Sequence, residues 1–229
     1  KKISKIFFHY MTNNYSWKKY NLNIQKLINQ NIAFNNKFMF NAEDNSYYTQ
    51  TRDIFALVAN TSKVINILDF GSNLSLISNL NNKIDTKAKK FFVYDPFYSL
   101  KDDVKIKNIN YKIFSNLTEI IKIKFDLIHF GSCIQYIQNF DSYLKILKSN
   151  NKSKILFTAT PFNLYTKYKT KQINQKNLFQ TVHNYHDLCK LLKLKKFDII
   201  FKSSMNIKLA KLKTVKPNTY FLNILFQMK

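Results

Sequence analysis

With 229 residues at 27.3 kDa, the chain is long enough to bury roughly 70% of the surface its unfolded form exposes, so one substantial core is expected. A hydrophobic share of 45% with 21 Phe and 14 Tyr excludes a disordered chain, and 2 Gly with 3 Pro exclude collagen-like and linker architectures. The net charge of +24 is almost wholly lysine, since Arg52 is the only arginine. With 29 Asn beside it, this is a bias that drift toward AU-rich codons produces without any partner. Lysine neutralises phosphate but does not read bases well, so non-specific polyanion binding stands beside a simply solvated surface.

Cys133 and Cys189 cannot build a disulfide framework or a cysteine-rich metal site, and a reducing, cytoplasmic compartment is the expectation. No apolar run approaches the length a bilayer requires, and the N-terminus has no signal-peptide core, so no transmembrane segment is expected.

Taken in chain order, the first fifty residues are polar and aromatic. Ile24, Leu27 and Ile28 predict a helix near 17–31, and Tyr48, Ile54, Phe55 and Val58 a second over 45–60. Residues 1–62 read as a helical cap, part of the same unit as an α/β domain over 63–229. From there short apolar runs alternate with mixed stretches. Strands are expected at VINILDF (64–70), KFFVYD (90–95), NYKIF (110–114), FDLIHF (125–130) and SKILFTAT (153–160), the second closed by Pro96 and the fifth ended by Pro161. Helices are expected from LSLISNL onward, over 134–148 with Tyr136, Ile137, Phe140, Leu144 and Leu147 on one face, and over 184–195. FDIIFKS (197–203) and TYFLNILFQ (219–227) lack an intervening helix, which predicts an antiparallel pair at one end of an otherwise mostly parallel, seven-stranded sheet.

In open sheets of this kind ligands bind beyond the carboxyl ends of the strands, which selects 69–75, 95–98, 129–136 and 158–165. In ILDFGSNLSLI (67–77) a carboxylate, Asp69, ends a strand and Gly71 forms the turn. That suits a nucleotide-like ligand, or an ordinary turn that Asp69 caps. Asp95 ends the next strand, where a carboxylate can accept both hydroxyls of a ribose or merely cap the turn at Pro96. Two of only 13 acidic residues ending consecutive core strands favours the ligand reading.

The order LDFG, VYD, FDLIHFGSCIQYIQNFDSYLKIL, ILFTATPF and FDIIF resembles the class I, S-adenosylmethionine-dependent methyltransferase fold. It is most similar to a small bacterial methyltransferase family with an LQY turn after the fourth strand and a TPF turn after the fifth, matched here by Ile134-Gln135-Tyr136 and Thr160-Pro161-Phe162, with Ser16-Trp17 upstream. The resemblance implies a Rossmann-like methyltransferase domain and S-adenosyl-L-methionine as cofactor. Asp69, Gly71, Ser72 and Asn73 would lie on its amino-acid side, Asp95 on the ribose, and Gly131 and Ser132 by the sulfonium and adenine. The family's glycine-rich turn is altered, because Ser72, Asn73 and Ser75 carry side chains at glycine positions; weak cofactor binding or a non-catalytic member is the alternative.

Methyl transfer needs alignment rather than a metal, and none is expected here. A base helps where the acceptor must lose a proton, and the candidates are His129, His183 and His186. His129 is otherwise a packed, hydrogen-bonded imidazole, and His183 and His186 a local cap. Gln135 and Tyr136 would position the acceptor or the adenine, with core packing as the alternative for Tyr136, and Cys133 reads as a small buried thiol. The acceptor expected is a small molecule or saccharide, on oxygen; an RNA-binding methyltransferase using the lysine surface, or a non-catalytic binding protein, is the alternative.

Overall fold

The computed structural model describes residues 46–61, 63–71, 83–95, 104–106, 109–137, 140, 143, 149–171, 179–205 and 212–229. The expected helices near 17–31 and from LSLISNL, the Ser16-Trp17 pair, and Ser72, Asn73 and Ser75 lie outside them.

Helix α1 (Ser46–Ala59) presents Phe55, Ala56, Val58 and Ala59 to the sheet, where they bury with Ile67, Phe91, Val93, Leu127 and Leu156. The strands follow as β1 (Asn66–Phe70), β2 (Lys90–Tyr94), β3 (Val104–Ile106), β4 (Ile109–Phe114), β5 (Phe125–Gly131), β6 (Ser149–Asn163), β7 (Tyr168–Lys171), β8 (Phe179–Asn184), β9 (Phe197–Met205) and β10 (Thr219–Met228). The short helix α2 (Leu117–Ile120) lies between β4 and β5, and α3 (Tyr185–Leu194) between β8 and β9. Asn184 caps α3 by accepting from the His186 and Asp187 N–H groups, satisfying donors that a helix start leaves open.

The sheet runs β3-β4-β2-β1-β5-β6-β10-β9. β4, β2, β1, β5 and β6 are mutually parallel, while β10 is antiparallel to both β6 and β9, so the C-terminal pair closes one end as expected. The apolar runs are buried on both faces because each face has its own cluster. Phe70, Ile128, Phe130, Ile155 and Phe157 meet Leu188 and Leu192 of α3 on one side, and the α1 cluster lies on the other.

Four expectations are corrected. The seven anticipated strands are joined by β3, β7 and β8, all short, giving ten strands among the described residues. Pro161 does not end β6, which continues to Asn163. Pairing with β5 stops at Thr158 and pairing with β8 begins at Phe162. Pro161 therefore has β10 on one flank only, where a missing N–H costs no ladder bond on the other side. The segment expected as one helix over 134–148 starts as a single 3-10 turn, Ile134–Tyr136, and Ile137 is extended. The Ile134 carbonyl accepts from the Ile137 N–H at 3.0 Å and from His183 Nε2 at 2.9 Å, an i to i+3 bond reinforced from β8, which holds the tighter form. Finally, Tyr136, expected on that helix's buried face, is half-buried in the turn. Among the described residues no helix is long and apolar enough to cross a membrane.

Candidate functional site

The carboxyl ends of β1, β2 and β5 meet at one edge of the sheet. Register pairs Asp69 with Val93 on β2 and with His129 on β5. Asp95 thus stands two residues beyond Asp69 along the neighbouring strand, fully buried, with its N–H donating to the Phe114 carbonyl at 3.1 Å. Gly71 turns the chain out of β1 at φ +70°, donating its N–H to the Tyr94 carbonyl at 2.7 Å. A Cβ there would lie 2.8 Å from Cys133 Cβ, so both the backbone angle and the close approach require glycine. Burial pushes the Cys133 thiol well up, and the negative charges of Asp69 and Asp95 push it further. Both carboxylates therefore act electrostatically on the loop that follows β5.

Asp69 does not stand alone. Its Oδ1 lies 2.8 Å from His129 Nδ1, and His129 Nε2 lies 2.8 Å from Thr158 Oγ1. A carboxylate only accepts, so Nδ1–H donates to Asp69, while Nε2 and the Thr158 hydroxyl share the second hydrogen bond. The chain of bonds crosses three strands in the interior, where His129 and Thr158 have no exposed surface. The Phe55 ring covers the imidazole at 4.8 Å. On the far side Gly131 makes room for it, since a Cβ at that position would lie 2.6 Å from His129 Cε1. His129, expected as a candidate base, has both nitrogens bonded inside the core. Gly131, expected beside the cofactor, is the position that admits the imidazole.

Beyond β5, Ser132 adopts φ 51°, a left-handed angle that is strained for a residue with a side chain. Its N–H donates to the Thr158 carbonyl at 2.9 Å, and its Oγ accepts from Gln135 Nε2 at 2.8 Å. Gln135 is buried, yet among the described residues its Oε1 has no hydrogen-bond partner, a loss on the order of 1–3 kcal/mol unless a ligand donor meets it. His183 on β8 ties this turn down through the Ile134 carbonyl and packs edge-on to Phe140. Asp69, Gly71, Asp95, Ser132 and Gln135 are therefore gathered at the ends of three adjacent strands, with Tyr136 and His183 at the β8 side. His186 instead sits in the first turn of α3 against Tyr185.

Among solved structures, the chain is similar to the 1,6-didemethyltoxoflavin-N1-methyltransferase of Burkholderia thailandensis, determined with 1,6-didemethyltoxoflavin and S-adenosylhomocysteine. The two share 9% identity and a TM-score of 0.54 over 89% of this chain and 87% of that one. It is likewise similar to the 16S rRNA methylase ArmA, at 16% identity and a TM-score of 0.50 over 93% of this chain and 98% of that one. The chain has the class I methyltransferase fold. No protein-family model matches the sequence, and no curated protein does. At these identities the likeness extends to the methyltransferase fold alone.

Within that methyltransferase fold, Thr158 and Phe55 are partners that sequence reading passed over. Thr158 had a signal, a hydroxyl ending the apolar run ILFTAT; Phe55 had none beyond its place on an apolar helix face. Cys133 is the small buried thiol expected, and it packs beneath Gly71. Among the described residues no group of three or more His, Cys, Asp or Glu side chains could hold a metal ion.

Proposed function

We propose that the protein binds S-adenosyl-L-methionine and transfers its methyl group to a small-molecule or saccharide acceptor, on oxygen. The observation that carries this reading is the pair of buried carboxylates, Asp69 and Asp95, ending adjacent parallel strands on either side of a turn that only glycine can make. The LQY-like and TPF-like turns and their family resemblance support the same reading. The residues fit the cofactor: Asp69 suits an ammonium group, Asp95 a ribose diol, and the orphaned Gln135 Oε1 a further donor.

Bound there, the cofactor supplies an activated methyl on a sulfonium. The protein's part is alignment in a site closed to water. Gly71 allows the backbone to approach, Ser132 and Gln135 brace the turn after β5, and Asp69 and Asp95 hold the two polar ends of the cofactor. Tyr136 and His183 are proposed on the acceptor side. Residues 1–62 are proposed as a cap on this same unit.

The test is calorimetric titration of S-adenosylhomocysteine into the unmutated protein and into Asp95→Ala and Asp95→Asn. A charge-assisted hydrogen bond contributes about 1.5–3 kcal/mol, so Asp95→Ala is expected to weaken binding by about tenfold or more at an unchanged thermal transition, with Asp95→Asn intermediate. Equal affinity in all three proteins removes Asp95 from the site. No binding to the unmutated protein favours a fold kept without its cofactor.

A further inference from the structure

We propose that His129 is a positioning residue, which together with Thr158 and Gly131 presents the Asp69 carboxylate to the ammonium group of the ligand. The inference rests on the cofactor reading above and adds residues to it that touch no ligand.

Asp69 is buried, its side chain only 3% exposed, and its bond to His129 occupies one oxygen, Oδ1. With Oδ1 held by the imidazole, the orientation of Oδ2 is fixed as well. A carboxylate this deep in the fold is stabilised by a donor at each oxygen, and an amine of the ligand is a donor that can meet Oδ2.

The direction of the carboxylate is set by the imidazole, and the imidazole is set from every side. Thr158 Oγ1 holds Nε2, Phe55 lies against the ring, and the missing side chain at Gly131 provides its space. Thr158 also accepts the Ser132 N–H through its carbonyl, so one residue joins the carboxylate relay to the turn after β5. The same three groups with the hydroxyl open to a cleft would make a nucleophile relay. Here Thr158 is fully buried, and the chain of bonds ends in the core, which leaves orientation of Asp69 as its effect.

Two ligands separate this role from a merely structural one. S-adenosylhomocysteine carries the amino-acid end, and 5′-methylthioadenosine lacks it. In His129→Leu, affinity for S-adenosylhomocysteine is expected to fall by about tenfold while that for 5′-methylthioadenosine changes by less than about twofold. His129→Asn keeps a donor near the Nδ1 position and is expected to restore most of the ratio between the two ligands. Should His129→Leu fail to fold, Thr158→Val, which keeps shape and removes only the hydroxyl, is expected to lower the ratio by about threefold. An equal loss for both ligands, an Asn variant no better than Leu, or an unchanged ratio in Thr158→Val overturns the positioning role and leaves the cofactor reading standing. Failure of the unmutated protein to bind either ligand overturns both.

Discussion

Replacing Gly131 with alanine probes the core of the site without any ligand. Gly131 has no positive φ, so on backbone grounds alone the change is expected to stabilise by about 0.4–1 kcal/mol, because alanine restricts the unfolded chain. The structure reverses that sign. The added Cβ would sit 2.6 Å from His129 Cε1 and 3.2 Å from Nε2, so the ring must retreat by most of an ångström to reach ordinary contact. The ring is held by bonds of 2.8 Å at both nitrogens, and a retreat of that size breaks at least one of them. Overpacking costs about 1–3 kcal/mol and a buried hydrogen bond lost costs about 1 kcal/mol more. Less the alanine gain, the net loss is about 1–3.5 kcal/mol, which for a chain of this length lowers Tm by roughly 2–14 °C. Thermal unfolding followed by circular dichroism measures it, in the unmutated background and again in His129→Ala, where the clash is gone and Gly131→Ala is expected to be neutral or mildly stabilising. An equal effect in the two backgrounds, or no loss in the first, refutes the account of why glycine stands there.

Two further outcomes are expected. Lys196, exposed just past the end of α3, holds φ 67°, so Lys196→Gly should raise stability by about 1 kcal/mol in the same melts, and a loss would mean the lysine side chain holds that end of the helix. Burial raises the thiol pKa of both Cys133 and Cys189, so at pH 8 less thiolate is present than at an ordinary cysteine; the partly exposed Cys189 should still react with maleimide before Cys133, whose labelling should await unfolding, as mass spectrometry of labelled peptides would show.

Much of the frame was legible in the chain itself. Runs such as VINILDF and FDLIHF are mostly apolar, without a polar residue at every second step, because their strands are covered on both faces, and that local fact predicts a parallel sheet. The missing helix between 203 and 219 predicted the antiparallel C-terminal pair for an equally local reason. β3 and β7 escaped notice because a three-residue or four-residue strand such as YKTK carries too few alternations to show a period, and its strand character comes from its partner across the sheet. Asp69, Gly71 and Asp95 could be found because each punctuates the end of a strand. What joined them to anything else could not. Asp69 and His129 are sixty residues apart and meet only because β1 and β5 lie side by side in a register that pairs them; the separate pairing of β5 with β6, which sets Thr158 opposite Gly131, brings Thr158 to the other ring nitrogen. Sequence alone thus determined which residue types stood at the strand ends. Only the packed sheet decided that His129 bonds to Asp69 and Thr158 in the core, because a side chain's neighbours are the groups that share its dielectric and hydrogen-bond reach, and strand pairing sets those neighbours at distances along the chain that no local pattern records.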